Sequence, residues 1–136
     1  MKTAMIIASD AGARTTGIIR EELGKEVDLF SVSERSGCVR IDSITDFTLR
    51  HFGDYEAFVF IGAMGICVRA IAPCVTSKYA DPAVVNVDAT GHFVVSVLAG
   101  HVGGANALTE RLARILGAQP VAVSYTHLTL PTNREV

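Results

Sequence analysis

The chain is poor in the features that tie a protein to a membrane, to nucleic acid or to a disulfide framework. Of its 136 residues, three are cysteine, four proline and none tryptophan. An odd number of cysteines gives no disulfide framework. Cys67 and Cys74, on one expected helix, would lie about 10 Å apart along its axis, beyond disulfide reach. Buried free thiols are the expectation. Charge of one sign is also missing: 12 basic and 14 acidic residues give a net charge of -2, scattered along the chain. That leaves no electrostatic footprint for nucleic acid or an anionic membrane surface. No apolar run approaches the roughly 20 residues that span a bilayer. Met1-Lys2 leads directly into a strand-like run instead of a signal peptide, so a cytoplasmic protein is expected. No His/Cys/Asp set has metal-ligand spacing, no Ser-His-Asp order is visible, and there is no internal repeat.

What is present is a 49% hydrophobic composition, enough for one domain with a real core. Thr3 to Ser9 is a short apolar run, Ser9 to Gly17 a polar turn, and Ile18, Ile19 and Leu23 fall at helical spacing. Glu26 to Val32 alternates like a strand, and a polar stretch with Gly37 precedes a helix capped near Asp42 or Ser43. Glu56 to Gly62 is the continuous apolar run of a strand buried on both faces, followed by a helix ending near Pro73. Ala83 to Gly100 reads as a hairpin turning at Ala89-Thr90-Gly91. Leu108, Leu112, Ile115 and Leu116 form a helical stripe up to Gly117, and Gln119 to Ser124 returns as a last strand. The sum is a Rossmann-like α/β three-layer sandwich with a mostly parallel sheet and one antiparallel hairpin. The domain is expected over residues 1–123. Residues 124–136 break the pattern, resemble translated adapter read-through, and are set aside as a foreign tail.

Two glycine-bearing segments, residues 62–73 and 96–106, each follow an apolar run and open a helical pattern. Such strand-to-helix loops expose N–H groups at the positive end of a helix dipole, where an anion binds. In the second, Gly100, Gly103 and Gly104 surround His101, with Asn106 in the next helical turn. The spacing fails G-x-G-x-x-G and has no Walker lysine, so dinucleotide and P-loop readings are weak. It suits a backbone cradle for a carboxylate or lactone carbonyl with His101 as base or donor, and equally a tight turn with an exposed histidine. In the first, Gly62 and Gly65 flank Met64, and Arg69 is the one basic residue between Gly53 and Lys78. Arg69 suits a bidentate pair with a substrate carboxylate, or a helix arginine snorkelling to solvent or pairing with Asp81 or Asp88. Asp10, Gly12, Arg14, Thr15 and Thr16 would join both segments on one sheet edge if the strands are parallel, or simply cap their helix. His51 and His92 read as structural.

The motifs M-G-x-x-x-R, D-P-A-V-V-x-V-D and G-H-x-G-G-A-N, in this order over roughly Ala57 to Val123, resemble the N-terminal domain of the cobalamin biosynthesis protein G (CbiG) family. The resemblance implies cobalt-precorrin-5A hydrolase activity: opening of the ring A δ-lactone of a cobalt-corrinoid, with release of acetaldehyde, to give cobalt-precorrin-5B. For that reaction His101 is the expected general base, with water attacking the lactone carbonyl. Gly62, Met64, Gly65, Arg69, Asp88, Gly100, Gly103, Gly104 and Asn106 would be substrate-binding. No separate cofactor is implied, because the substrate carries the cobalt. Full-length members continue into a middle region and a C-terminal domain, which would be partners of this one. A non-catalytic corrinoid-binding module and a generic nucleotide-binding α/β domain are the alternatives.

Overall fold

The computed structural model describes residues 1–100 and 102–122. Among them, seven strands form one sheet: β1 (Thr3–Ile7), β2 (Val27–Ser31), β3 (Val39–Arg40), β4 (Ala57–Ile61), β5 (Ala83–Val87), β6 (Phe93–Leu98) and β7 (Gln119–Val121). Four helices accompany them: α1 (Ala13–Leu23), α2 (Ile44–His51), α3 (Met64–Ile71) and α4 (Ala105–Leu116). The sheet order is β3-β2-β1-β4-β5-β6-β7. The first five strands are mutually parallel. β6 is antiparallel to β5, and β7 is parallel to β6, so both run against the rest. The Rossmann-like sandwich expected from the sequence is thus what forms.

Every residue of β1, β4 and β5 is buried, which explains why these strands read as unbroken apolar runs. The pleat divides their side chains between two cores. Ala57, Val59 and Ile61 of β4 face α1 and α4, joining Ile19, Leu23, Leu108 and Leu112. Phe58 and Phe60 face the other way, joining Phe52, Cys67, Ala70 and Ile71 of the α2–α3 layer. Helix α1, which follows β1, therefore packs on one face, and α3, which follows β4, on the other. β1 and β4 are neighbours, so the chain leaves the sheet in opposite directions from adjacent strands. This is the topological switch point of an open α/β sheet.

Several local expectations hold. Ser43 caps α2, its Oγ accepting from the Asp46 N–H at 3.1 Å. α3 ends at Ile71, and a short 3-10 turn carries Pro73. α4 stops at Gly117 (φ 67°), where Ala118 N–H donates to Ala113 O at 2.8 Å. Cys67 is buried, Cys38 and Cys74 are partly buried, and all three are free thiols. β3 was not visible in the sequence: it has two exposed residues, and residues 32–38 connect it to parallel β2 without a helix. No helix among the described residues is long and apolar enough to cross a membrane. The proposed tail, residues 124–136, lies outside the described residues.

Leu112 is fully buried on the apolar stripe that fixes α4 to the sheet. Leu112→Ala should lower the unfolding free energy by about 2–5 kcal/mol, measured by urea denaturation.

Candidate functional site

The carboxyl edge at the β1/β4 switch is built around a tied turn. Gly62 has φ 148°, and a side chain there would place Cβ 3.0 Å from Cβ of Ala8. Only glycine fits between the two chain exits. Ala8 N–H donates to Ile61 O, and Gly62 N–H donates to Val87 O, both at 2.9 Å. Asn86, 3% exposed, donates its Nδ2 to Gly62 O at 3.2 Å. The sequence reading passed over Asn86, although it is the polar interruption of the AVVNV run.

Beyond this turn, Ala63 is extended and gives α3 no side-chain cap; Ile66 N–H donates to Ala63 O at 3.1 Å, while Met64 N–H and Gly65 N–H have no acceptor among the described residues. Met64, Gly65 and Arg69 are exposed there. Arg69 folds back along the helix: its Nη1 lies 3.3 Å from where a Cβ on Gly65 would stand. Neither carboxylate considered as its partner takes it. Asp81 is buried and accepts from Thr76 N–H, Thr76 Oγ1 and Ser77 N–H. Asp88 is engaged in the β5–β6 turn, accepting from Thr90 Oγ1, His92 N–H and Phe93 N–H. Among the described residues Arg69 forms no ion pair. A planar, unpaired guanidinium over an uncapped helix start can take a carboxylate in two parallel hydrogen bonds.

Next to it, on the β2 side of β1, a shallow cavity of about 130 Å³ is lined by Ile7, Ala8, Ser9, Asp10, Val32 and Ser33. Asp10 Oδ1 accepts from Arg35 Nη2 at 2.9 Å and from Ser33 Oγ at 3.2 Å. The sequence reading singled out neither Ser33 nor Arg35. Their only signal is a Ser/Arg/Gly-rich connection between two strands.

The second glycine segment opens at the other edge, which corrects the expectation that the two converge. β6 runs backwards, so its last residue, Leu98, pairs with Val84 at the start of β5. A Cβ on Gly103 would stand 3.5 Å from Ala83 N, and one on Gly104 3.4 Å from Met1 Cε. Gly100, Gly103, Gly104 and Asn106 therefore sit at the amino ends of the parallel strands, while Gly62, Met64, Gly65, Arg69 and Asp88 sit at their carboxyl ends. The strands between are about 17 Å long.

The turn is tightly closed as well. Ala99 takes φ 57°, the one positive φ outside glycine among the described residues. A Cβ on Gly103 would come 2.6 Å from Cβ of Ala99. Ala105 N–H donates to Ala99 O at 3.2 Å and Asn106 N–H to Gly100 O at 2.9 Å, so two of the first N–H groups of α4 are already taken. Close packing accounts for the glycine at 103. His101 lies outside the described residues.

A family model described as "Cobalamin synthesis G N-terminal" matches residues 46–126, more than half of the chain. The chain belongs to this family. Within the Cobalamin synthesis G N-terminal match lie both glycine turns, Arg69, Asn86 and Asp88, whereas Asp10, Ser33 and Arg35 precede it. A cobalt-precorrin-5A hydrolase of Salmonella typhimurium is 56% identical over 75 residues, covering 55% of this chain and 21% of its own length. A cobalt-precorrin-5A hydrolase of Priestia megaterium is 43% identical over 84 residues, 60% of this chain and 22% of the relative. The chain thus spans about a fifth of the curated relatives it matches. A crystal structure described as a cobalamin biosynthesis protein G homolog from Sulfolobus solfataricus superposes with a TM-score of 0.65 at 28% identity, over 89% of this chain and 36% of that one.

Asp88 shows how this family member holds its β5–β6 turn. Burial pushes its carboxyl up, but the hydrogen bonds from Thr90, Phe93 and His92, with the charge of His92, outweigh that and hold it below the usual carboxylate range. A depressed native pKa contributes stability above the ordinary aspartate value, and that contribution is lost as pH falls through the native one. Asp88→Asn should therefore lower Tm at neutral pH and flatten its decline between about pH 4 and pH 2, measured by circular dichroism.

Proposed function

We propose that this chain is the substrate-holding N-terminal part of a cobalt-precorrin-5A hydrolase in anaerobic cobalamin biosynthesis. The proposed reaction is hydrolysis of the ring A δ-lactone of cobalt-precorrin-5A to cobalt-precorrin-5B and acetaldehyde. Water adds to the lactone carbonyl and the ring C–O bond breaks, leaving a carboxylate and a secondary alcohol. The alcohol then loses its proton, its carbon–carbon bond to the macrocycle breaks, and acetaldehyde departs while the macrocycle carbon keeps the electron pair. Cobalt arrives with the substrate and takes no part as a resident cofactor.

The observation that carries this reading is Arg69. It is an exposed guanidinium without a carboxylate partner, over the start of α3, at the switch point, inside the stretch matched by the Cobalamin synthesis G N-terminal family. A corrinoid intermediate is a broad apolar macrocycle fringed by acetate and propionate groups. Exposed Met64 and Val68 beside Arg69 match that combination of apolar face and anionic rim. Gly62 and Asn86 hold the turn that presents them.

Gly100 and Val102, the sequence neighbours of His101, stand at the amino edge of the sheet. A substrate held by Arg69 is at the opposite edge, so we assign activation of water to the part of the full-length protein beyond this domain. The 136-residue chain should then bind a carboxylate-bearing cobalt-corrinoid in a spectral titration and release no acetaldehyde by itself. Arg69→Ala should weaken that binding about tenfold. Acetaldehyde release by the isolated chain, abolished by His101→Ala, would move the chemistry to the amino edge. Stabilisation by a nucleotide and none by a corrinoid would replace the reading altogether.

A further inference from the structure

We propose that Arg35, with Ser33 beside it, is a second carboxylate-binding position on the carboxyl edge, across β1 from Arg69. The inference rests on the corrinoid reading above and adds a second grip on the same macrocycle.

Arg35 belongs to the connection 32–38 between two parallel strands, and its guanidinium reaches Asp10, just past the end of β1. Its side chain is 18% exposed, unusually sheltered for an arginine on a loop, whereas its partner Asp10 is 86% exposed. Asp10 engages the guanidinium through a single hydrogen bond, from Nη2 to Oδ1. Arg35 Nε is shielded from solvent and has no acceptor. The Nε–Nη2 side of a guanidinium is one of its two-donor forks, matched in geometry to the two oxygens of a carboxylate. Asp10 thus fills half of a site built for a bidentate partner. An exposed carboxylate is also a weakly held one, screened by water and free to swing away.

The placement suits a ligand with several anionic groups. β2, which leads to Arg35, and β4, which leads to Arg69, flank β1, so the two chain exits are two strand spacings apart, roughly 10 Å. Two arginines carried by separate exits suit an anion with several carboxylates better than one small anion. The cavity lined by Ser9, Asp10 and Ser33 lies beside the Arg35 position, to which Asp10 is hydrogen-bonded, and offers hydroxyls. When a substrate carboxylate takes both Nε and Nη2, Asp10 turns out to solvent and Ser33 Oγ is released to donate to the newcomer.

The test uses the full 136-residue chain and two probes, dicyanocobyrinic acid with free carboxylates and its heptamethyl ester, titrated by corrin absorbance. The acid should bind at least about tenfold more tightly than the ester. Arg35→Ala should weaken the acid about tenfold and leave the ester unchanged, and Arg35→Lys, which keeps the charge without the fork, should recover little of it. Asp10→Ala, which removes the internal competitor, should tighten the acid severalfold. That gain should disappear when Arg35 is also replaced by alanine, which distinguishes release of the fork from the mere loss of a negative charge near the anion. Acid affinity unchanged in Arg35→Ala, or lowered in Asp10→Ala, overturns the proposal while corrinoid binding stands. Failure of the unsubstituted chain to bind the acid removes the corrinoid reading and this proposal together. If circular dichroism shows that Arg35→Ala does not fold, Asp10→Ala compared in the Arg35 and Arg35→Lys chains decides, the gain being expected only with arginine.

Discussion

The antiparallel pairing of β6 with β5 is the constraint on which the rest of this domain depends. Five strands run one way, and at Asp88 the chain turns back. The turn is held by three hydrogen bonds to one carboxylate, and Gly91, with φ 74°, completes it by donating its N–H to Asp88 O. From that reversal follow the direction of α4, the parallel pairing of β7 with β6, and the edge at which the segment around Gly100 to Asn106 opens. Had β6 joined as a sixth parallel strand, both glycine turns would meet at one crevice. Because it does not, they serve opposite ends of the sheet.

The two turns use glycine for different physical ends. At Gly62 the missing side chain lets two chain exits pass within contact of each other, so α1 and α3 can leave for opposite faces while the helix start between them stays open. At Gly103 it lets the chain fold onto Ala99, whose carbonyl then occupies a helix-start donor that an anion would otherwise take. One turn leaves donors free and the other satisfies them. This difference, more than motif content, is the reason for proposing the carboxyl edge as the substrate surface in a domain similar to part of two cobalt-precorrin-5A hydrolases.

The architecture was largely legible because burial on both faces writes a continuous apolar run, and β1, β4 and β5 each carry one. Strand order was not, since such runs are interchangeable in pattern and only crossover packing decides their neighbours. The hairpin at residues 88–92 was read correctly, and a hairpin reverses the chain. The expectation of convergence failed because that reversal was not carried forward to the loop after β6. Arg69 was legible as a lone charge in an apolar stretch. Arg35 was not, because its shelter is created by the fold of an irregular connection that has no sequence period. Asn86 left a signal, a single amide in a run of valines, that only the position of Gly62 O makes meaningful.

The opposition of the two turns is tested most directly by a distance. Spin labels at exposed Ala63 and Val102 would report it, in a chain with Cys38 and Cys74 replaced by serine. Cys67 can remain, because burial pushes its thiol up to about 12 and keeps it unreactive. With five-residue strands between the turns, double electron–electron resonance should give a distribution centred beyond about 20 Å. Strong dipolar broadening of the continuous-wave spectrum, the mark of labels about 10 Å apart, would place both turns at one edge and contradict the account.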